Sequence, residues 1–127
     1  MPEKSLYEYA VIRIVPKVER EEFINVGIIM FSKYPRFIRM RYQLDTSRLL
    51  AFAPKLDMEM AQRVLKAMDK VCSGQQEGGV IATLDISERF RWLTAVRSAC
   101  VQTSRPHPGL TADLQHTFDS LYEEQVL

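Results

Sequence analysis

Two dense apolar stretches lie close together near the start of the chain: Tyr7-Glu8-Tyr9-Ala10-Val11-Ile12-Arg13-Ile14-Val15 and Phe23-Ile24-Asn25-Val26-Gly27-Ile28-Ile29-Met30-Phe31. Both are rich in β-branched and aromatic residues, which predicts strands over 6–15 and 24–31. A short charged link over 17–22 separates them. Pro16 stops the first, because it cannot donate to a ladder. Neither alternates cleanly between apolar and polar, so the pair is expected at the centre of a sheet, buried on both faces. Strict alternation in the second would put Ile24, Val26, Ile28 and Met30 on one face and Asn25, Gly27, Ile29 and Phe31 on the other. Gly27 inside it marks a bulge or a close backbone approach. A turn over 32–35 leads to a third strand over 36–43, which does alternate: Ile38, Met40 and Tyr42 inward, Arg39 and Arg41 outward.

Helical spacing follows. Asp45 or Thr46 caps a short helix through Ala53, and Pro54 ends it. Asp57 caps a longer one to Cys72, with Ala61, Leu65 and Met68 in its apolar stripe. A polar loop over 73–79 comes next. Ser87 then caps a third helix, whose Phe90, Trp92, Leu93 and Val96 are expected in the core. Residues 99–103 predict a fourth strand, 105–109 a rigid loop, and Thr111 the start of a last helix with Leu114, Phe118, Leu121 and Tyr122 on one stripe. The fold class is therefore α+β: a mainly antiparallel sheet of about four strands packed with helices, in one domain over 1–127.

Composition changes this picture little. The chain has 127 residues, 46% of them hydrophobic, and a formal net charge of +1, so bulk charge demands no polyanion. No apolar run approaches the ~20 residues of a membrane span, and the N-terminus does not read as a signal peptide. Cys72 and Cys100 are isolated thiols, expected as buried small hydrophobes in a reducing cytoplasm. Local charge is uneven: residues 33–48 hold five bases and one acid, and residues 111–127 hold four acids and no Lys or Arg. The two segments read first as ordinary solvated faces; the sharper reading is that they attract each other, within one chain or across a homodimer.

The chain carries few motifs that point to chemistry. Gly78-Gly79 lacks a phosphate-loop spacing. His107 and His116 belong to no metal-ligand pattern, and no metal or cofactor is expected. Glu8, an acid on an apolar strand, needs a partner, for which Arg13 and Arg97 are candidates. Asn25 is expected to satisfy backbone groups near Gly27. Arginine outnumbers lysine; Arg89, Arg91, Arg97 and Arg105 crowd one region with Phe90 and Trp92.

Three segments, Tyr7 through Arg13, Glu22-Phe23-Ile24-Asn25-Val26-Gly27-Ile28 and Glu88-Arg89-Phe90-Arg91-Trp92-Leu93-Thr94-Ala95, resemble the bacterial domain-of-unknown-function family 3037. His107-Pro108-Gly109-Leu110 also fits, with Pro108 as a departure from the Thr that the resemblance implies there. The resemblance implies no activity. It implies a neighbour, a HipA-like serine/threonine kinase, and so an accessory subunit in a toxin–antitoxin-like pair.

Three functional readings stand together. The leading one is a non-enzymatic interaction or regulatory module, with a HipA-like kinase or a second copy as partner. Another is nucleic-acid binding through Arg39, Arg41, Arg89 and Arg91, which is not favoured. The third is a small enzyme with Glu8, Arg13, Asn25, Arg97 or His107 around a pocket near Gly27.

Overall fold

A computed structural model of the chain describes residues 3–16, 22–95 and 100–127. Five antiparallel strands form one sheet, and four helices pack on it: β1 (Ser5–Ile14), β2 (Ile24–Ser32), β3 (Phe37–Tyr42), α1 (Thr46–Phe52), α2 (Met58–Cys72), α3 (Ile86–Ala95), β4 (Val101–Thr103), β5 (His107–Thr111) and α4 (Leu114–Gln125). The fold is α+β, as the hydrophobic pattern predicts. Spatial order is β3-β2-β1-β4, and β5 lies on the same side of β1 as β4. The link over 17–21, with Val96, Arg97 and Ala99, lies outside the described residues.

β5 is the element the sequence reading takes for a rigid loop. Its partner explains it. Ile12–Ile14 pair with Val101–Thr103, and Ser5–Tyr9 pair with His107–Thr111. The sums of paired positions differ by one between the two ladders, so β4 and β5 are one edge strand broken by a bulge at Arg105-Pro106. A proline, with no N–H to give, is at home in such a break.

A second bulge reorganises β2. Ile12 opposes Gly27 while Arg13 opposes Asn25, which leaves Val26 as the extra residue. Side chains before the bulge and after it therefore change face. Ile24 and Val26 share a cluster with Ile29 and Phe31, whereas Ile28 and Met30 face the other way. Strict alternation assigned these residues differently, because it cannot count an inserted residue. Gly27 is also a point of close approach: a Cβ there would stand 2.6 Å from the Arg41 carbonyl oxygen and 2.8 Å from Tyr42 Cβ.

Both faces of the sheet are covered by the chain itself. On one, Ile12, Ile14, Val26, Ile29 and Phe31 pack with Leu65, Met68, Phe90 and Leu93 from α2 and α3. On the other, Val11, Ile28 and Met30 pack with Leu114, Phe118, Tyr122 and Val126 of the α4 region. The β1–β2 pair is thus a sheet centre with helices on each side, and α4 fills the second face. Burying each large aliphatic or aromatic side chain contributes ~1.5–3 kcal/mol, which is why α4 docks although its isolated helix would be marginal.

Caps set the helix starts. Asp45, Asp57 and Asp113 accept from the backbone N–H of Arg48, Met60 and His116. The last helix therefore starts after Asp113, while Thr111 ends β5 and its Oγ1 accepts from Asp113 N–H at 3.1 Å. α3 begins at Ile86, one residue before its expected cap, so Ser87 sits in the first turn with its hydroxyl donating to Asp85. The polar loop over 73–79 holds one short 3-10 turn, Gln76–Gly78, and a second, Val80–Thr83, follows it.

Candidate functional site

The helices leave one end of the sheet open. α3 covers Phe31 through a stacked Phe90 ring at 5.2 Å, and beyond that point no helix among the described residues covers β1. Leu6 and Leu110 are direct cross-strand partners there, each 63% exposed. Tyr34, on the turn after β2, is 76% exposed. Ser32 anchors that turn: its buried hydroxyl donates to the Leu6 carbonyl at 2.8 Å. A cleft of about 540 Å³ runs between Leu6, Phe31, Tyr34 and the start of α3, with Lys4, Lys33 and Arg91 on its rim.

One wall of the cleft is an ion pair. Arg91 donates to both carboxylate oxygens of Glu8, at 3.0 and 2.6 Å. This hydrogen bonding raises the Arg91 pKa still further, so its guanidinium stays charged. The partner expected for Glu8 was Arg13 or Arg97. Arg13 extends from the opposite face of β1, and Arg97 lies outside the described residues. The cleft has an apolar floor and a cationic rim. Burial raises the Tyr7 pKa, so its phenol stays protonated and is no base.

The remaining candidate residues are spread over the molecule. Arg13 and Asn25 are cross-strand neighbours on the α4 face. Arg13 stacks its guanidinium 4.1 Å from the Phe23 ring, and its buried Nε has no partner. The Asn25 side-chain amide donates to the Gln125 carbonyl at 3.0 Å. Asn25 therefore ties the end of α4 to β2, instead of serving backbone around Gly27. Arg39 and Arg41 stand on the face that α4 occupies, and Arg41 lies 4.1 Å over the buried Tyr122 ring. The basic and acidic segments do meet within one chain, through a cation–π contact. Tyr122 is held protonated by burial, which Arg41 partly offsets.

Arg89 is 6% exposed and ends α2: its Nη1 donates to the carbonyls of Val71 and Cys72, at 3.4 and 3.2 Å. A cation suits the negative end of a helix dipole. Gly74 makes room for it, with φ +71° and no Cβ to strike Nη1. His107 is exposed on β5, its ring 5.2 Å from Tyr9. Glu8, Arg13, Asn25 and His107 consequently converge on no shared cavity. Arg39, Arg41, Arg89 and Arg91 form no common surface.

Trp92, which the sequence pattern places in the core, is 40% exposed. Its neighbours Phe90 and Leu93 are fully buried, so helical phase alone turns it outward. Among the described residues, no cluster of His, Cys, Asp or Glu could hold a metal ion, and no helix is long and apolar enough to cross a membrane.

A family model described as "Protein of unknown function (DUF3037)" matches residues 9–126. The chain belongs to this family. No curated protein and no solved structure matches it. For this DUF3037 member, the matched span takes in every strand and helix except the first residues of β1, Ser5 to Glu8. Leu6 and Glu8 of the open cleft thus lie just outside it. Signals for the open sheet end were present in the sequence only as an isolated leucine before the first strand's core and a Leu110 after Pro108-Gly109. Neither stands out until the strands pair.

Proposed function

We propose that this protein is a non-catalytic interaction module that docks a partner protein at the open end of its sheet. The observation that carries this reading is the opposed pair Leu6 and Leu110, each 63% exposed, beside Tyr34 at 76%. Large apolar side chains gathered at one place and rimmed by charge are the usual mark of a protein contact. The scatter of Glu8, Arg13, Asn25 and His107 supports a binding role over a catalytic one. Because α4 already covers the second face, a partner has to dock elsewhere, and the sheet end offers Leu6, Leu110 and Tyr34 together.

A HipA-like serine/threonine kinase, suggested by the family resemblance, is the first partner to test, with a second copy as the other occupant. The experiment is co-expression with the neighbouring kinase, followed by affinity capture and sedimentation. Wild-type protein should carry the kinase in fixed ratio, and Leu6→Glu or Leu110→Glu should release it. A wild-type chain that stays monomeric and captures no kinase, or capture that both variants retain, would overturn the reading.

A further inference from the structure

A groove of about 330 Å³ lies between α2, α3 and the loop after α2, remote from the sheet end. Arg63, Lys66 and Lys70 of α2 line it together with Trp92 of α3. The cations recur at the i, i+3 and i+7 positions, so they stand along one helical face over ~10 Å of axis. None of the three forms an ion pair among the described residues. Among the described residues, Glu77 is the one carboxylate in the lining, against three bases. Asp69 lies between Lys66 and Lys70 in sequence, yet its charge is felt by Cys72 and Tyr42, on the sheet side of the helix.

An exposed indole next to unpaired cations fits a particular chemistry. The flat ring accepts a stacked base, and the ammonium and guanidinium groups take the phosphates beside it. We infer that this groove binds a nucleobase with its flanking phosphates, presented by single-stranded nucleic acid or by free nucleotide. These residues differ from the arginines singled out by sequence. Local charge and an exposed aromatic make the site, and the near-neutral net charge of the chain does not bear on it.

Trp92 is the one tryptophan in the chain, so its fluorescence reports directly on the groove. Full-length protein is titrated with a 12-nucleotide oligo(dT), its RNA counterpart and the mononucleotides, at low and physiological salt; labelled-oligonucleotide anisotropy is run in parallel. Quenching should saturate, and affinity should fall steeply with salt as counterions are released. The surface double variant Lys66→Gln/Lys70→Gln should keep the circular dichroism spectrum and melting profile, weaken binding and lower the salt slope by about two. Trp92→Ala should weaken oligonucleotide binding roughly 5- to 150-fold by anisotropy, the span that base stacking on an aromatic ring corresponds to. Oligonucleotide binding well above that of mononucleotides assigns the site to a strand; equal binding assigns it to free nucleotide. No quenching by any of these ligands, or affinity unchanged in both variants, overturns the inference.

Discussion

Ser104 completes the ladder of Val11 with its side chain. The Val11 N–H donates to Ser104 Oγ at 2.9 Å, and the Ser104 N–H returns a bond to the Val11 carbonyl at 2.8 Å. The hydroxyl in turn donates to the Arg105 carbonyl at 3.0 Å. Directly after it comes the Arg105-Pro106 bulge, where the edge strand leaves β1. A serine at this point lets one buried residue satisfy the central strand while the backbone turns away.

Removing that hydroxyl leaves the buried Val11 N–H without an acceptor. Ser104→Ala should therefore lower unfolding stability by ~1–3 kcal/mol in urea titrations, with an unchanged m-value. An effect within ~0.3 kcal/mol would mean that water or a backbone shift replaces the contact.

Asn25 holds the last turn of α4 through the Gln125 carbonyl. Asn25→Ala should cost ~1 kcal/mol overall. It should also speed hydrogen exchange in the second half of α4 more than in α2. Uniform acceleration across both helices would contradict a local tether.

Arg89 satisfies two carbonyls at the end of α2, and Gly74 leaves it space. Arg89→Ala should destabilise by ~1–3 kcal/mol, through the Cys72 carbonyl left without its donor and lost packing, while the Val71 carbonyl keeps the Gly74 N–H. Gly74→Ala should be destabilising as well, by ~1 kcal/mol or more, since a left-handed φ is strained for alanine and its Cβ would meet the guanidinium. Because both act on one contact, the double variant should lose less than the sum.

Cys72 is 2% exposed, and burial, reinforced by Asp69 and opposed by Arg89, pushes its thiol up to about 12. The Cys100 thiol is raised by burial too. A folded-state pKa above the unfolded one favours the protonated form in the fold. The resulting stability is complete below the ordinary thiol pKa of 9.0 and drains away as pH climbs towards 12. Buried Tyr122 shifts in the same direction. Melting temperature should hold up to about pH 8.5 and fall beyond it, and Cys72→Ala should flatten the fall. Native protein at pH 8 should show neither thiol reacting with a disulfide reagent until denaturant is added.

Glu8 and Arg91 form a two-bond ion pair, but both side chains keep solvent contact. Glu8→Gln should therefore change stability by under ~1 kcal/mol. In the co-purification assay the same variant should weaken capture of a partner seated on the sheet end, because the pair forms a wall of that cleft.

What the sequence determined by itself is mostly local. β-branched density placed β1 and β2, Asp caps placed α1 and α2, and helical spacing placed α4, because each signal is carried by neighbours a few residues apart. Buried cysteines and the α+β class follow from the same kind of information. Only the tertiary structure decided the rest. Val26 as an inserted residue, β5 as a strand and α4 as the cover of the second face depend on which backbone lies opposite, and alternation patterns do not encode that. The Arg91 partner of Glu8 lies 83 positions away, and the Leu6–Leu110 pair exists only through β5. Trp92 shows the physical reason most simply. A run of Phe90, Trp92 and Leu93 reads as core in sequence, yet on a helix at 100° per residue the docking of Phe90 and Leu93 leaves the indole in solvent.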